Sequence, residues 1–182
     1  MNIPGIPPPP MKIVCLVRHA KASPATGGAS RDDPSLRDFD RPLNARGKKQ
    51  APWLGRRLKG SNVQPGVIIS SPAKRAMATA EILAKGIHYP LKRIIAEPAV
   101  YASGAPAILG VIKDIAPDHD AAVVVGHNPA LSDLMKYLSR RELDELPTGG
   151  IVCLRFDVDS WKKIARGKGE VLFYDAPPRE EE

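Results

Sequence analysis

Several scarcities frame this sequence of 182 residues. Aromatic residues make up only 5% of it, so the interleaved aromatic and basic residues that stack on bases are missing, and no RNA-binding signature appears; a nucleic-acid partner is not expected. No apolar run approaches the ~20 residues that cross a bilayer, so no membrane span is expected. Cysteine is limited to Cys15 and Cys153. Both sit in strand-like apolar runs and read as buried free thiols. That points to a reducing compartment, most simply a bacterial-type cytoplasm. The phosphate-loop pattern G-x-x-x-x-G-K-[ST] and the dinucleotide pattern G-x-G-x-x-G are both absent. No His, Cys and Asp cluster has metal-ligand spacing, so neither a metal nor another cofactor is expected.

The ends are low in ordinary domain signals too. Residues 1–10, MNIPGIPPPP, have no basic and apolar leader pattern, and four consecutive prolines favour an extended polyproline arm, expected to be disordered. Met11 is a second candidate start. Residues 176–182, APPREEE, read as an acidic solvated tail. Between them, residues 11–175 are expected to form a single domain and to act as a monomer.

Acidic residues are scarce in the first third. Residues 1–60 hold twelve Lys and Arg against four Asp and Glu, whereas residues 61–182 hold fifteen against sixteen. A basic third of this kind suits an anionic partner: phosphate groups or an acidic protein face.

What is present is an alternation of strand-like and helix-like segments. Short apolar runs at 12–17 (KIVCLV), 67–70 (VIIS), 93–96, 121–126 (AAVVVG), 151–156 and 170–174 read as strands. Amphipathic stretches at 42–59, 73–85, 106–116 and 129–138 read as helices. The pattern predicts an α/β protein: a three-layer α/β/α sandwich whose sheet of about six strands is mostly parallel, made mixed by a hairpin of the last two strands.

Ligands of such sheets bind beyond the carboxyl ends of the strands. Three strand ends carry chemistry: Arg18-His19-Ala20-Lys21 after the first, Ser71-Pro72-Ala73-Lys74-Arg75 after the second, and Gly126-His127-Asn128-Pro129 after the very apolar one. Ser71-Pro72 and Asn128-Pro129 each read as an N-cap followed by proline at the first helical position. Two arginines and two histidines thus gather at one sheet edge. Planar guanidinium forks suit a dianionic phosphoryl group, and a neutral imidazole can attack phosphorus. Taken singly, each junction is more commonly a structural feature; it is their joint placement that points to a site. His88 and His119 fall outside these junctions and read as surface residues.

The motifs resemble those of the histidine phosphatase superfamily, with the phosphoglycerate-mutase-like fold. LVRHAKAS at 16–23 resembles its Arg-His-Gly signature, SSPAKRAMATAEIL at 70–83 its second motif, and VVVGHNPAL at 123–131 its late Gly-His motif. Ala20, Lys21, DFDRPLNARGKKQA at 38–51 and VYAS at 100–103 are closer to the SixA-type phosphohistidine phosphatase branch. The resemblance implies that His19 is the nucleophile, that Arg18, Arg75 and His127 bind the transferring phosphoryl group, and that Asn128 contributes through its backbone or as a cap. Ala20 stands where glycine is usual, so an ordinary backbone angle is expected there. For the general acid, Glu97 occupies the position after the third strand, with Asp38 and Asp40 as alternatives.

Larger relatives insert a helical lid between the second and late motifs. Here the short spacing leaves no room for one, so a shallow, open pocket is expected beside a basic loop and helix (Arg37, Arg41, Arg46, Lys48 and Lys49). The resemblance therefore implies a metal-independent phosphatase acting on phosphohistidine in a signalling protein. A phosphatase of small phosphate esters, or a non-catalytic phosphate-binding module, are the alternative readings.

Overall fold

The computed structural model describes residues 3–24 and 38–179. Arg37, the first two residues of the proline arm and the last three of the acidic tail lie outside them.

Among the described residues six strands and four α-helices follow in order, alternating up to the last two strands: β1 (Lys12–Arg18), α1 (Ala45–Gly60), β2 (Val67–Ser70), α2 (Lys74–Gly86), β3 (Ile95–Ala96), α3 (Ala105–Lys113), β4 (Ala121–Gly126), α4 (Ala130–Ser139), β5 (Ile151–Phe156) and β6 (Glu170–Asp175). The sheet order is β3-β2-β4-β1-β5-β6. Strands β3, β2, β4 and β1 run parallel, and β5 and β6 pair antiparallel to complete a mixed sheet.

The strands of 12–17 and 121–126 are apolar throughout because both faces of the sheet are covered. On one face Val14, Leu16, Val124, Leu131, Leu134 and Trp161 pack beneath α3 and α4. On the other Cys15, Val17, Val123, Leu54, Leu58 and Leu83 pack beneath α1 and α2. Alternate residues of one strand thus enter opposite cores, which is the three-layer arrangement expected.

Local boundaries differ from the expected ones for identifiable reasons. Helix α1 starts at Ala45 rather than at Pro42, because Asn44 accepts a hydrogen bond from Gly47 N at 2.9 Å and so sets the first turn. Leu43 is instead bridged to Ala22 in extended conformation. The third strand shrinks to Ile95–Ala96, since Leu91–Arg93 forms a 3₁₀ turn. Ser71 does not cap α2: the helix begins at Lys74 after Ala73. Pro129 is not inside α4 but precedes it, following a cis Asn128–Pro129 bond.

The two cysteines are not free. Antiparallel β1 and β5 place Cys15 directly opposite Cys153, and the pair forms a disulfide beneath α1 and α2. At a sequence separation of 138, this adjacency is a property of strand order alone. The inference from free thiols to a reducing compartment therefore loses its basis. No helix among the described residues is long and apolar enough to cross a membrane.

Candidate active site

Three adjacent parallel strands, β2, β4 and β1, end side by side, and their ends bring the three motifs together. Ladder-like bonds continue past the strands and fix the turns: His19 N donates to Gly126 O at 3.0 Å, and Ser71 N donates to Val125 O at 2.9 Å. Beneath the first motif Gly149, at φ +71°, donates its N–H to the carbonyls of Arg18 and His19.

His19 is 8% exposed. Its Nδ1 lies 2.8 Å from Ala20 O, and a carbonyl can only accept, so Nδ1 carries the proton. That leaves the lone pair on Nε2, which accepts from Arg75 Nε at 3.3 Å. Ala20 is fully buried and has no left-handed backbone angle, as expected, and its N–H donates to Thr79 Oγ1 at 3.0 Å. Burial pushes the His19 pKa down to about 4; the Ala20 bond opposes this, while the charges of Arg75, Arg18 and Arg41 add to it. The ring is therefore neutral at pH 7.

Arg75 stands on the first turn of α2 and joins both histidines. Its Nη2 donates to His127 Nδ1 at 3.3 Å, so the other nitrogen of that ring, Nε2, carries the hydrogen given to Ser71 Oγ at 2.7 Å. The imidazole rings of His19 and His127 have centroids 5.1 Å apart. Burial pushes the His127 pKa down to about 3, helped by His19 and Arg75 and opposed by Asp38.

Arg18 is held from the far side. Its Nη1 donates to Leu146 O at 3.0 Å, and its Nε is a buried donor with no hydrogen-bond partner among the described residues. Asn128 Nδ2 donates to the same Leu146 carbonyl at 2.8 Å, while its Oδ1 accepts from Ser132 N and Oγ. Asn128 is thereby committed to α4 and to the strap that seats Arg18. Arg18, His19, Arg75 and His127 form one cluster, with Asn128 at its margin.

The two kinds of carboxylate behave differently. Glu97 caps the turn that follows β3: its side chain accepts from Ala99 N at 3.1 Å and bonds neither histidine nor either arginine. Asp38 reaches the cluster directly. Its Oδ2 accepts from Arg75 Nη2 at 3.0 Å and Tyr101 Oη at 2.9 Å, and its Oδ1 from Arg41 at 2.9 Å. Burial raises its pKa, but the bonds from Arg41, Tyr101 and Arg75 outweigh that and hold the carboxyl well below the usual range.

Tyr101 was legible only as part of the motif VYAS, and its role is spatial. The ring stands edge-on to His127 at 5.6 Å, and Phe39 stands edge-on to it at 5.2 Å. Together with Asp38 it roofs the cluster, which differs from the open pocket expected. The lidless spacing is nevertheless as read: only α2, two 3₁₀ turns, β3 and α3 lie between Arg75 and β4.

Chemically, the cluster offers one unprotonated imidazole nitrogen, two guanidinium groups and a second neutral imidazole, with an unpaired buried N–H among them. That set suits a tetrahedral oxyanion held against a nucleophile.

Comparison with known proteins agrees with this geometry. Residues 14–97 match the family model of the histidine phosphatase superfamily, branch 1. A Nakamurella multipartitia structure, provisionally assigned as the phosphohistidine phosphatase SixA, aligns over 92% of this chain and 96% of its own, with a TM-score of 0.76 and 24% identity. The protein histidine phosphatase SixA complexed with tungstate aligns over 90% and 96%, with a TM-score of 0.72 and 20% identity. An uncharacterised protein of Mycobacterium tuberculosis is 26% identical over 171 residues, covering 88% of this chain and 99% of its own. At these identities the structural likeness speaks for the fold.

Proposed function

With the histidine phosphatase signature over residues 14–97 and a SixA-type fold around it as premise, we propose that this protein is a metal-independent phosphatase that transfers phosphoryl groups onto His19 and then to water, acting on phosphohistidine in a signalling protein. The observation that carries this reading is the state of His19: neutral, with its proton fixed on Nδ1 and its Nε2 lone pair directed at the arginine–histidine cluster.

In the first step Nε2 bonds to phosphorus as the bond from phosphorus to the leaving group breaks. Arg18 and Arg75 hold peripheral oxygens and their charges neutralise the group without a metal, and His127 takes the third through a tautomer switch in which Ser71 Oγ donates to Nε2 and Nδ1 carries the hydrogen. In the second step water attacks phosphorus, the P–N bond to His19 breaks, and inorganic phosphate departs with the proton balance restored by solvent. Asn128 acts as a positioning residue for Arg18, through the shared Leu146 carbonyl.

The substrate class follows from acid strength. Asp38 is a carboxyl group that bonds the cluster directly among the described residues, and it is ionised, so it has no proton to give; Glu97 is not carried into the proposal because its carboxylate caps a turn instead. A leaving group that needs little help is therefore favoured. An imidazole that carries a proton on its other nitrogen leaves as a neutral molecule, whereas a serine alkoxide leaves as a strong base. Phosphohistidine and aryl phosphates fit this site; alkyl phosphates fit it poorly. The tungstate bound by SixA is a tetrahedral oxyanion of the kind the cluster suits.

The test compares a phosphohistidine-bearing phosphotransfer domain, p-nitrophenyl phosphate and an alkyl phosphate, in EDTA, for the wild type and His19→Ala. The expected result is turnover unaffected by EDTA, rank order following leaving-group acidity, and loss of at least a thousandfold of the rate in the variant (roughly, for loss of a covalent nucleophile). Turnover of only small esters overturns the protein substrate. No turnover of any of them leaves a phosphate-binding module.

A further inference from the structure

The phosphoryl site of the free protein is already filled, by the chain itself. Each N–H-bearing nitrogen of Arg75 meets an internal acceptor: Nε meets His19 Nε2, Nη1 meets Asp38 O at 2.6 Å, and Nη2 meets both Asp38 Oδ2 and His127 Nδ1. The attacking nitrogen of His19 is covered by one of these same bonds. Arg75 is 6% exposed and His127 9%, so a phosphoryl group reaches neither while the roof is in place.

The one charged acceptor in this set is Asp38. It is the least buried partner, its side chain 49% exposed against 7% for that of Arg75, and it sits on a three-residue 3₁₀ turn, Asp38–Asp40. Its two oxygens gather donors from Arg75, Arg41 and Tyr101. A carboxylate that accepts one guanidinium N–H from Arg75, another from Arg41 and the O–H of a phenol makes contacts that two oxygens of a phosphoryl group would make.

We propose that Asp38 is an internal anion that occupies the phosphoryl subsite of the free protein and competes with every oxyanion for Arg75, with Tyr101 and Arg41 holding it there. Substrate enters as Asp38 and the Tyr101 roof swing off, and Asp38 returns to Arg75 as inorganic phosphate leaves. Like charges within a few ångströms repel, so Asp38 and a bound dianion do not share Arg75. In this role Asp38 sets the affinity threshold of the site and keeps ambient phosphate from saturating it. The backbone carbonyl of the same residue, bonded to Nη1, keeps Arg75 oriented when the carboxylate leaves.

The inference rests on the phosphoryl-site reading above, and equilibrium binding separates the two. Tungstate and inorganic phosphate are titrated calorimetrically into the wild type, Asp38→Ala, Asp38→Asn, Tyr101→Phe and the double variant Asp38→Ala/Tyr101→Phe. Thermal midpoints are measured alongside to confirm folding. Both anions are expected to bind Asp38→Ala about tenfold more tightly, the release of one charge-assisted bond set. Asp38→Asn and Tyr101→Phe gain less, and Tyr101→Phe adds nothing once Asp38 is gone. Steady-state KM for p-nitrophenyl phosphate falls, and product inhibition by phosphate strengthens, in the same order. Unchanged or weaker binding by Asp38→Ala overturns the internal competitor and makes Asp38 a support for Arg75. Absence of oxyanion binding in the wild type and in all variants overturns the phosphoryl site as well.

Discussion

At the scale of single residues, the site works by withholding protons. His19 and His127 are bases kept neutral by burial among arginines, with pKa values pushed down to about 4 and about 3. Two outcomes follow. The acid limb of kcat/KM for p-nitrophenyl phosphate, after correction for substrate ionisation, is expected to bend near pH 4 rather than near 6.5; a bend near 6.5 would place His19 at its ordinary value. Stability carries the same signature. Below pH 6.5 the unfolded chain takes up protons that the folded chain refuses, so stability is full above 6.5 and is lost as the pH falls towards about 4. Thermal midpoints are expected to drop across that window, and less steeply in His19→Ala. A parallel drop in both proteins would place the acid lability elsewhere.

At the scale of elements, the site depends on close backbone approaches rather than on large side chains. Helices α1 and α2 cross where Gly55 meets Gly86: a Cβ on Gly55 would stand 3.0 Å from Gly86 Cα and 3.2 Å from Leu83 O. Neither backbone atom can turn aside. Gly55→Ala is therefore expected to lower stability by about 1–3 kcal/mol in denaturant unfolding, the usual effect of overpacking, and to shift α2 and with it Arg75. Full stability and full activity would show that the helices yield freely. Between the interior strands β1 and β5 a disulfide lies under the same helices. Protein denatured without reductant is expected to leave both cysteines unlabelled by iodoacetamide, and labelling of two sites would show free thiols.

At the scale of the whole molecule, the charge is lopsided towards the site. Exposed Arg46 and Lys48 lie on the first turns of α1, beside the loop that carries Asp38 and Arg41, and Lys49 extends the same basic face. On the proposed function, a phosphate displayed on a protein surface would meet this face and a free ester would not. Charge reversal at Arg46, Lys48 and Lys49 together is expected to lower kcat/KM for a phosphoprotein about tenfold or more, while p-nitrophenyl phosphate changes less than twofold. Salt should shrink the difference, since exposed charges are screened. Equal losses on both substrates would show that the basic face serves the phosphoryl group and not a protein.

What the sequence alone determined is the framework. Apolar runs such as AAVVVG mark strands buried on both faces, and strand–helix alternation dictates a mostly parallel sheet, so residues after the strands converge at one edge. Arg18, His19, Arg75 and His127 were legible for that reason: local pattern fixes each strand end, and topology does the rest. The remainder depended on contacts that no local pattern encodes. Cys15 and Cys153 become neighbours only because β5 adds antiparallel to β1, a choice of strand order. Asp38 rather than Glu97 reaches the cluster because the turn before α1 folds over Arg75, while a nearby amide claims Glu97. Tyr101 roofs His127, and Ser71 leaves a capping role to bond that ring, through spacing set by packed helices. Side chains that meet across the fold are chosen by tertiary geometry, and their charges and hydrogen bonds then decide which protons the site holds.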